Sequence, residues 1–301
     1  MLNYIKLIRL PNLLMIALLQ MLFRYMLVEP ILVEQEKALF LTPFEFGLLV
    51  ISGILIAAGG YVINDIQDRA IDRINKPKKM VVWSQISEEA AYNFYMALTF
   101  SGVIIGFYLT YIRQIPLIGI INLICAGFLY FYSTSYKCIP ILGNVIVSAL
   151  TSFVIWMVIL PEPFAVKDPI IITLAVAYVS FSFIISMVRE MIKDLEDVEG
   201  DKQCGCNTLP VSFGNKVSKV SITLLTITLI STLIWIQITS KQWETPLPFY
   251  YIILAIQIPL VYLMYNLWKS SNTIMYARCS SIAKFIMFTG SISILVFYFS
   301  F

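Results

Sequence analysis

Residues 64–79 read NDIQDRAIDRINKPKK, and residues 186–210 read SMVREMIKDLEDVEGDKQCGCNTLP. Both carry oxygen donors at the three-to-four-residue stride that brings side chains to one face of an α-helix. In the first these are Asn64, Asp65, Asp68 and Asp72, and in the second Glu190, Asp194, Asp197 and Asp201. On a helical wheel the first set covers about 100° of arc and the second about 60°. Gly200 is expected to loosen the last turn, which leaves Asp201 the least firmly positioned. Two carboxylates about 5 Å apart repel by about 3 kcal/mol at an effective dielectric near 20. Six converging aspartates therefore need cations between them. The chain has no histidine, and an oxygen donor set of this kind suits Mg²⁺, which binds a few carboxylates together with substrate phosphate oxygens. Arg69, Arg73, Lys76, Arg189 and Lys193 stand beside the acids, where a bound phosphate would need them. Lys78 and Lys79 are expected only to anchor the chain at the inner leaflet. A single D-x-x-D is usually a solvated loop. Two copies in a chain with 18 acidic residues in all favour the metal–diphosphate reading.

The elements that must position these residues are membrane helices. The chain of 301 residues is 59% hydrophobic and 13% charged, with a mean hydropathy of +0.84, more apolar surface than a soluble domain can hide. Nine apolar runs approach the ~20 residues that cross a bilayer, at about 11–28, 44–63, 93–111, 115–133, 141–160, 169–188, 217–239, 248–267 and 282–300. They are too long for barrel strands, so the backbone must satisfy itself within helices. The expected fold is an all-α polytopic bundle of nine transmembrane helices around a central cavity opening to the cytoplasmic side. It forms one integral-membrane domain, 1–301, with two pseudo-repeats of four helices (about 1–140 and 141–267) and a final helix. The N-terminal run lacks a small-residue cleavage site and is expected to be the first helix rather than a signal peptide.

Sixteen of the 21 Lys and Arg fall at the N-terminus or around the loops after the even-numbered runs, Lys284 among them. Only Lys37, Arg113, Lys167 and Lys241 fall on the other side, and Arg24 lies within the first run. By the positive-inside rule the N-terminus and both motifs face the cytoplasm of the cell inner or plasma membrane, with the C-terminus outside. The net charge of +3 is then a matter of topology and of an anionic ligand. It gives no reason to expect nucleic acid, and nothing implies an obligate protein partner. The five cysteines form no disulfide framework by spacing, and Cys204-Gly-Cys206 reads as incidental loop chemistry on the reducing side.

These motifs resemble those of the UbiA family of intramembrane prenyltransferases. The family pattern N-D-x-x-D-x-x-x-D is matched by Asn64, Asp65, Asp68 and Asp72. D-x-x-D-x-x-x-D is matched by Asp194, Asp197 and Asp201, followed by Thr208-Leu209-Pro210. A Y-S-x-x-x-K…G-N element is present as Tyr132, Ser133, Lys137, Gly143 and Asn144, and an R-x-x-N element as Arg9 and Asn12. The resemblance spans the chain. It implies two Mg²⁺ ions on the two acidic motifs, which grip a polyprenyl diphosphate, with Lys137 reaching a diphosphate oxygen. It departs from many members after Asp72, where Lys76 replaces an arginine and loses its two-pronged donor.

The implied chemistry is departure of the diphosphate to leave an allylic cation in an apolar cavity, where aromatic faces stabilise it and water is kept out. Tyr130 and Tyr132 are the aromatic candidates nearest the motif. The form K-D-x-E-D-x-x-G-D, Lys193 to Asp201, is most similar to the digeranylgeranylglyceryl phosphate synthase branch. That branch transfers geranylgeranyl to geranylgeranylglyceryl phosphate within the bilayer, and Arg9, Arg69 and Arg73 are candidates for the acceptor phosphate. An aromatic acceptor of quinone biosynthesis is the alternative. A membrane terpene cyclase and a divalent-cation transporter are the remaining readings; clustering of the acids at one membrane face speaks against a conduit.

Overall fold

The computed structural model describes residues 2–77, 80–82, 84–239 and 246–300. Lys78, Lys79 and Lys241 thus lie outside the described residues. Nine helices long and apolar enough to cross a membrane are present among them: α1 Leu10–Glu34, α2 Pro43–Gln67, α3 Glu88–Arg113, α4 Pro116–Tyr136, α5 Leu142–Ile159, α6 Pro169–Gln203, α7 Leu209–Thr239, α8 Leu247–Lys269 and α9 Thr273–Tyr298. This is an integral membrane protein. Many helix starts carry a local signal. Thr42 and Glu45 form a reciprocal capping box at α2, Ser87 caps α3, Asp168 caps α6 and Asn272 caps α9. Each side-chain oxygen satisfies an amide left open by the first turn.

Several helices outrun their apolar segments. α6 has 35 residues, about 52 Å at 1.5 Å per residue, against ~30 Å of hydrocarbon. Its last turns therefore continue past the apolar run as one helix, packed under the segment that follows α2, and carry Glu190 to Asp201 on it. α9 begins at Thr273 rather than near 282, because Asn272 accepts a hydrogen bond from the Met275 amide and starts the helix early. Lys284, expected near a loop, accordingly lies about three turns inside α9.

α6 packs against α5, α7 and α9, while α2 packs along α3 and α4; α1 touches α2, α5 and α9 and so closes the ring. Large aliphatic and aromatic side chains such as Phe23, Phe46 and Ile155 fill one end of the bundle, and Ile185, Ile192 and Leu263 fill the α6–α9 side. Outward faces of α3, α4, α7 and α8 remain apolar, as lipid-facing helices must.

Candidate active site at the acidic end of the bundle

A cavity of about 900 Å³ runs through the bundle from the two acidic motifs into the apolar interior. Its lining comes from α1, α2, α4, α5, α6 and α9, together with the segment after α2. Asn64, Asp65, Asp68 and Asp72 border it on one side, and Asp194, Asp197 and Asp201 on the other.

The two motifs reach the cavity differently. α2 runs on through Gln67, then the chain turns at Asp68 and resumes as a short helix, Arg69–Asn75, that packs against α6. The bonds Asp68 N to Asn64 O and Asp72 N to Asp68 O continue across the turn, so the acids keep their stride. The second motif has no such break. Gly200 does not loosen it: the helix continues to Gln203, and Gly200 is the point where Asn75 lies on α6. A Cβ at Gly200 would approach Asn75 Nδ2 to 2.5 Å. Asn75 donates to the Asp197 carbonyl at 2.9 Å and accepts from the Gly200 amide at 2.9 Å. Asn75 was not singled out from the sequence as a site residue. Only its position beside the first motif could have flagged it.

Most of the carboxylates are held by groups of the chain itself. Arg9 Nη2 is 2.7 Å from Asp65 Oδ1, and Lys137 pairs with Asp68, which also accepts from Asn64 at 2.7 Å. Lys76 Nζ is 2.7 Å from Asp197 Oδ1, 2.8 Å from Oδ2 and 3.4 Å from Glu196 Oε1. Asn144 donates to Asp194 at 2.9 Å and Thr208 to Asp201 at 3.1 Å. Glu190 is taken by Arg189 at 2.7 Å and Lys193 at 3.0 Å. Among the described residues, no three acidic side chains stand close enough together to ligate one ion as they are.

Lys137 follows a wide π turn, Tyr132–Tyr136, which ends in a bond from the Lys137 amide to Tyr132 O at 3.0 Å. Ile141 at φ 67 then reverses the chain, an uncommon conformation for a β-branched residue. Gly143 thereby comes against the Lys137 backbone, where a Cβ would stand 3.1 Å from Lys137 Cα. Burial works against the Lys137 charge, but Asp68, Asp201 and Asp72 outweigh it and hold the ammonium above its usual range. Burial, and then the charges of Asp68 and Asp65, push the Asp72 carboxyl up to about 6.

Arg69 and Arg73 are exposed and are not among the cavity-lining residues, and Asn144 touches the site only through Asp194. Arg9, Asn12, Lys76, Tyr132, Lys137, Arg189 and Lys193 all line the cavity. Tyr130 is exposed and stacks edge-on against Phe131, away from the lining. The aromatic rings at the apolar depth are Phe153, Tyr178 and Phe181, with Tyr61 nearer the acids. Cys138 and Cys206, expected to be unpaired, are joined by a disulfide that ties the loop after Lys137 to the loop after Asp201. Asn207 N donates to Cys138 O at 3.1 Å across the same junction. The two loops are 68 residues apart in sequence, so spacing alone gave no sign of the pair.

Comparisons with known proteins bear on the family and the fold. The model of the UbiA prenyltransferase family matches residues 35–291. A digeranylgeranylglyceryl phosphate synthase from Sulfolobus acidocaldarius is 34% identical over 236 residues, covering 74% of this chain and 75% of that protein. Further proteins of that name match over 53% to 63% of their own lengths. A solved structure described as a study of digeranylgeranylglyceryl phosphate synthase in membranes superposes with a TM-score of 0.64 at 28% identity, covering 99% of this chain and 97% of the other. A UbiA homologue from Archaeoglobus fulgidus, solved with DMAPP and Mg²⁺, superposes with a TM-score of 0.64 at 17% identity, covering 97% and 99%. That likeness is one of fold.

Proposed function

This chain belongs to the UbiA prenyltransferase family, and on that footing we propose that it transfers geranylgeranyl from its diphosphate to the free hydroxyl of geranylgeranylglyceryl phosphate. The observation that carries this reading is the two-part cavity. Carboxylates and cations crowd one end, and apolar and aromatic side chains line the depth between α1, α5, α6 and α9. The relative from Sulfolobus acidocaldarius supports the choice of acceptor by its name.

The donor set fits Mg²⁺. It consists of oxygen atoms from Asn64, Asp65, Asp68 and Asp72 on one side and Asp194, Asp197 and Asp201 on the other. Burial and the charges of Asp68 and Asp65 raise the Asp72 carboxyl to about 6, which a cation at that place would reverse. We assign one ion to each motif. An ion held there would supply the Lewis-acid neutralisation of charge on the leaving diphosphate oxygens. Lys137 and Lys76, charged and already facing the carboxylates, hold those oxygens from the other side. Tyr132 and Tyr61 stand between the charged end and the apolar depth. Phe153, Tyr178 and Phe181 surround the prenyl chain, keep water from the allylic cation and present ring faces to it. Asn75 keeps the first motif in register with the second through Asp197 and Gly200.

The motif end faces the cytoplasm in this reading and the C-terminus lies outside, supported by the excess of Lys and Arg in the sequence at the N-terminus and after the even-numbered apolar runs, Lys284 within α9 apart. The two pseudo-repeats each deliver one acidic motif, through α2 and α6.

The test is a turnover assay with purified protein, Mg²⁺ and radiolabelled geranylgeranyl diphosphate. Separate tubes contain geranylgeranylglyceryl phosphate, a hydroxybenzoate, a naphthoate or no acceptor. Label on the glyceryl phosphate is the expected outcome. Label on an aromatic acid assigns the protein to quinone synthesis instead, cyclic products without acceptor make it a cyclase, and no diphosphate release in any tube removes the transferase reading.

A further inference from the structure

The charged end of the cavity has two poles of opposite sign. Around Lys76 and Lys137 the carboxylates are in excess: Asp68, Asp72, Asp194, Asp197, Asp201 and Glu196 line the cavity with two ammonium groups, and Asp68 and Asp194 adjoin the cationic side, where they act on Arg9 and feel Lys193. On the α1–α6–α9 side the excess is positive. Arg9 from just before α1, Arg189 and Lys193 from α6 and Lys284 from α9 line the cavity there, against Asp65 and Glu190. Asp65 is engaged by Arg9, and Glu190 by both Arg189 and Lys193. Arg9 also feels the Glu190 charge, so these groups form one electrostatic cluster.

Lys284 is the member without a counter-ion. Among the described residues it makes no hydrogen bond and no ion pair, and the charges that bear on it, Arg189 and Arg9, are of its own sign. It lies inside a membrane helix, on the stripe of α9 that lines the cavity with Ala277, Ser280, Ser281, Met287 and Ser291. A lysine there, under the charge of two guanidinium groups, is unfavourable unless an anion joins them. Leaving aside Lys6, which also lines the cavity but is exposed, four cations against two carboxylates leave a surplus of about two positive charges, which matches a phosphate monoester of about −1.5 to −2 at neutral pH.

A metal-bound diphosphate belongs at the carboxylate pole, because the ions it brings neutralise that pole. The cationic pole has no use for a metal ion and suits an anion that arrives without one. We propose that Lys284, with Arg189 and Arg9, forms a second anion subsite that receives the phosphate monoester of the prenyl acceptor and selects phosphorylated over unphosphorylated acceptors. This rests on the acceptor reading above and deepens it: the exposed Arg69 and Arg73, outside the cavity lining, have no part in the subsite. Ser280 and Ser281 supply hydroxyls on the same stripe of α9.

The experiment measures steady-state kinetics of wild type, Lys284→Gln, Lys284→Met and Lys284→Arg. Each is assayed with geranylgeranyl diphosphate and either geranylgeranylglyceryl phosphate or unphosphorylated geranylgeranylglycerol, and thermal midpoints in detergent are recorded alongside. Removing a charge-assisted contact to the phosphate is expected to raise the acceptor KM about tenfold or more. The donor KM stays within about twofold, because the charges that bear on Lys284 are those of Arg189 and Arg9 and not those of the motif aspartates. Preference for the phosphorylated acceptor collapses in Lys284→Gln and Lys284→Met, and Lys284→Arg restores most of it. Lys284→Met keeps the apolar stem, so it supplies the comparison if Lys284→Gln has a lowered midpoint. Unchanged preference in both neutral variants overturns the subsite while leaving the acceptor reading intact. A wild type that ignores the phosphorylated acceptor but prenylates another overturns the acceptor reading, and the subsite with it. Inorganic phosphate added to wild type is expected to compete with the acceptor and not with the donor; competition against the donor alone overturns the proposal.

Discussion

The two ends of the bundle both bury charge, and they do it in opposite ways. At the end remote from the motifs, Arg24 is fully buried in α1, with Nη1 2.8 Å from Glu162 and Nη2 on the Leu41 carbonyl. Glu162 accepts from the Phe40 and Leu41 amides at 2.5 and 3.2 Å, and the guanidinium lies 4.4 Å over the Phe46 ring. One positive and one negative charge are closed off together with the backbone of the α1–α2 connection. At the motif end the acids outnumber the cations at one pole and the cations outnumber the acids at the other. A buried pair that only holds helices together can be balanced one for one, since any surplus costs several kcal/mol. A surplus survives only where a ligand completes it. The balance of buried charge thus separates scaffold from site in this molecule.

Breaking each region should give a different readout. Asp68→Ala and Asp197→Ala are expected to lower kcat by roughly 10⁴, about 5 kcal/mol of transition-state stabilisation. Expression, helix content and thermal midpoint should stay near wild type. Full activity in either variant, measured by diphosphate release, would sink the assignment of the acidic face. Arg24→Ala should do the reverse. It leaves Glu162 buried without its counter-ion and should reduce stability by about 3–4 kcal/mol, while turnover per folded molecule is kept. A normal thermal midpoint for that variant would remove the contrast drawn above.

Asn75→Ala is the intermediate case, since it removes a side chain that joins the two motifs. Two backbone groups of α6 lose a partner, at about 1–3 kcal/mol, and the Mg²⁺ concentration for half-maximal activity should rise several-fold. Gly200→Ala should resemble it, because the added methyl displaces the same asparagine. The smallest effect concerns pH. Asp72 binds its proton more tightly in the folded chain, at about 6, than its ordinary value of 3.8. The folded state therefore carries more protons between those values, and stability without metal should fall as pH rises from about 4 to about 6. Mg²⁺ should stabilise more at pH 7.5 than at pH 5, and Asp72→Asn should flatten the metal-free profile in a thermal melt.

How much of this was legible in the chain depends on the range of the interaction. The nine membrane helices follow from local apolar length and caps, and their cores fell where composition indicated. The ends did not, because helix continuation beyond the apolar run is decided by what those turns pack against: α6 continues past Gly200 where Asn75 fills the glycine surface. Arg69 and Arg73 share the charge and neighbourhood of Lys76, yet only Lys76 faces the cavity, since Asp68 and Asp72 take the cavity side of the short helix and each arginine, one residue on, lies about 100° round from it.

Sequence by itself determined the membrane class, the two oxygen-donor faces and their hard-ion chemistry, since these depend on residue type and on a stride of three to four. The tertiary structure alone decided which cations meet which acids: Lys76 with Asp197 is a pair 121 residues apart, and Arg24 with Glu162 a pair 138 apart. It alone joined Cys138 to Cys206 and turned Lys284 from a topology signal into a cavity wall. Electrostatic partners are set by distance in space, and the chain order encodes that distance only within a helix turn or two.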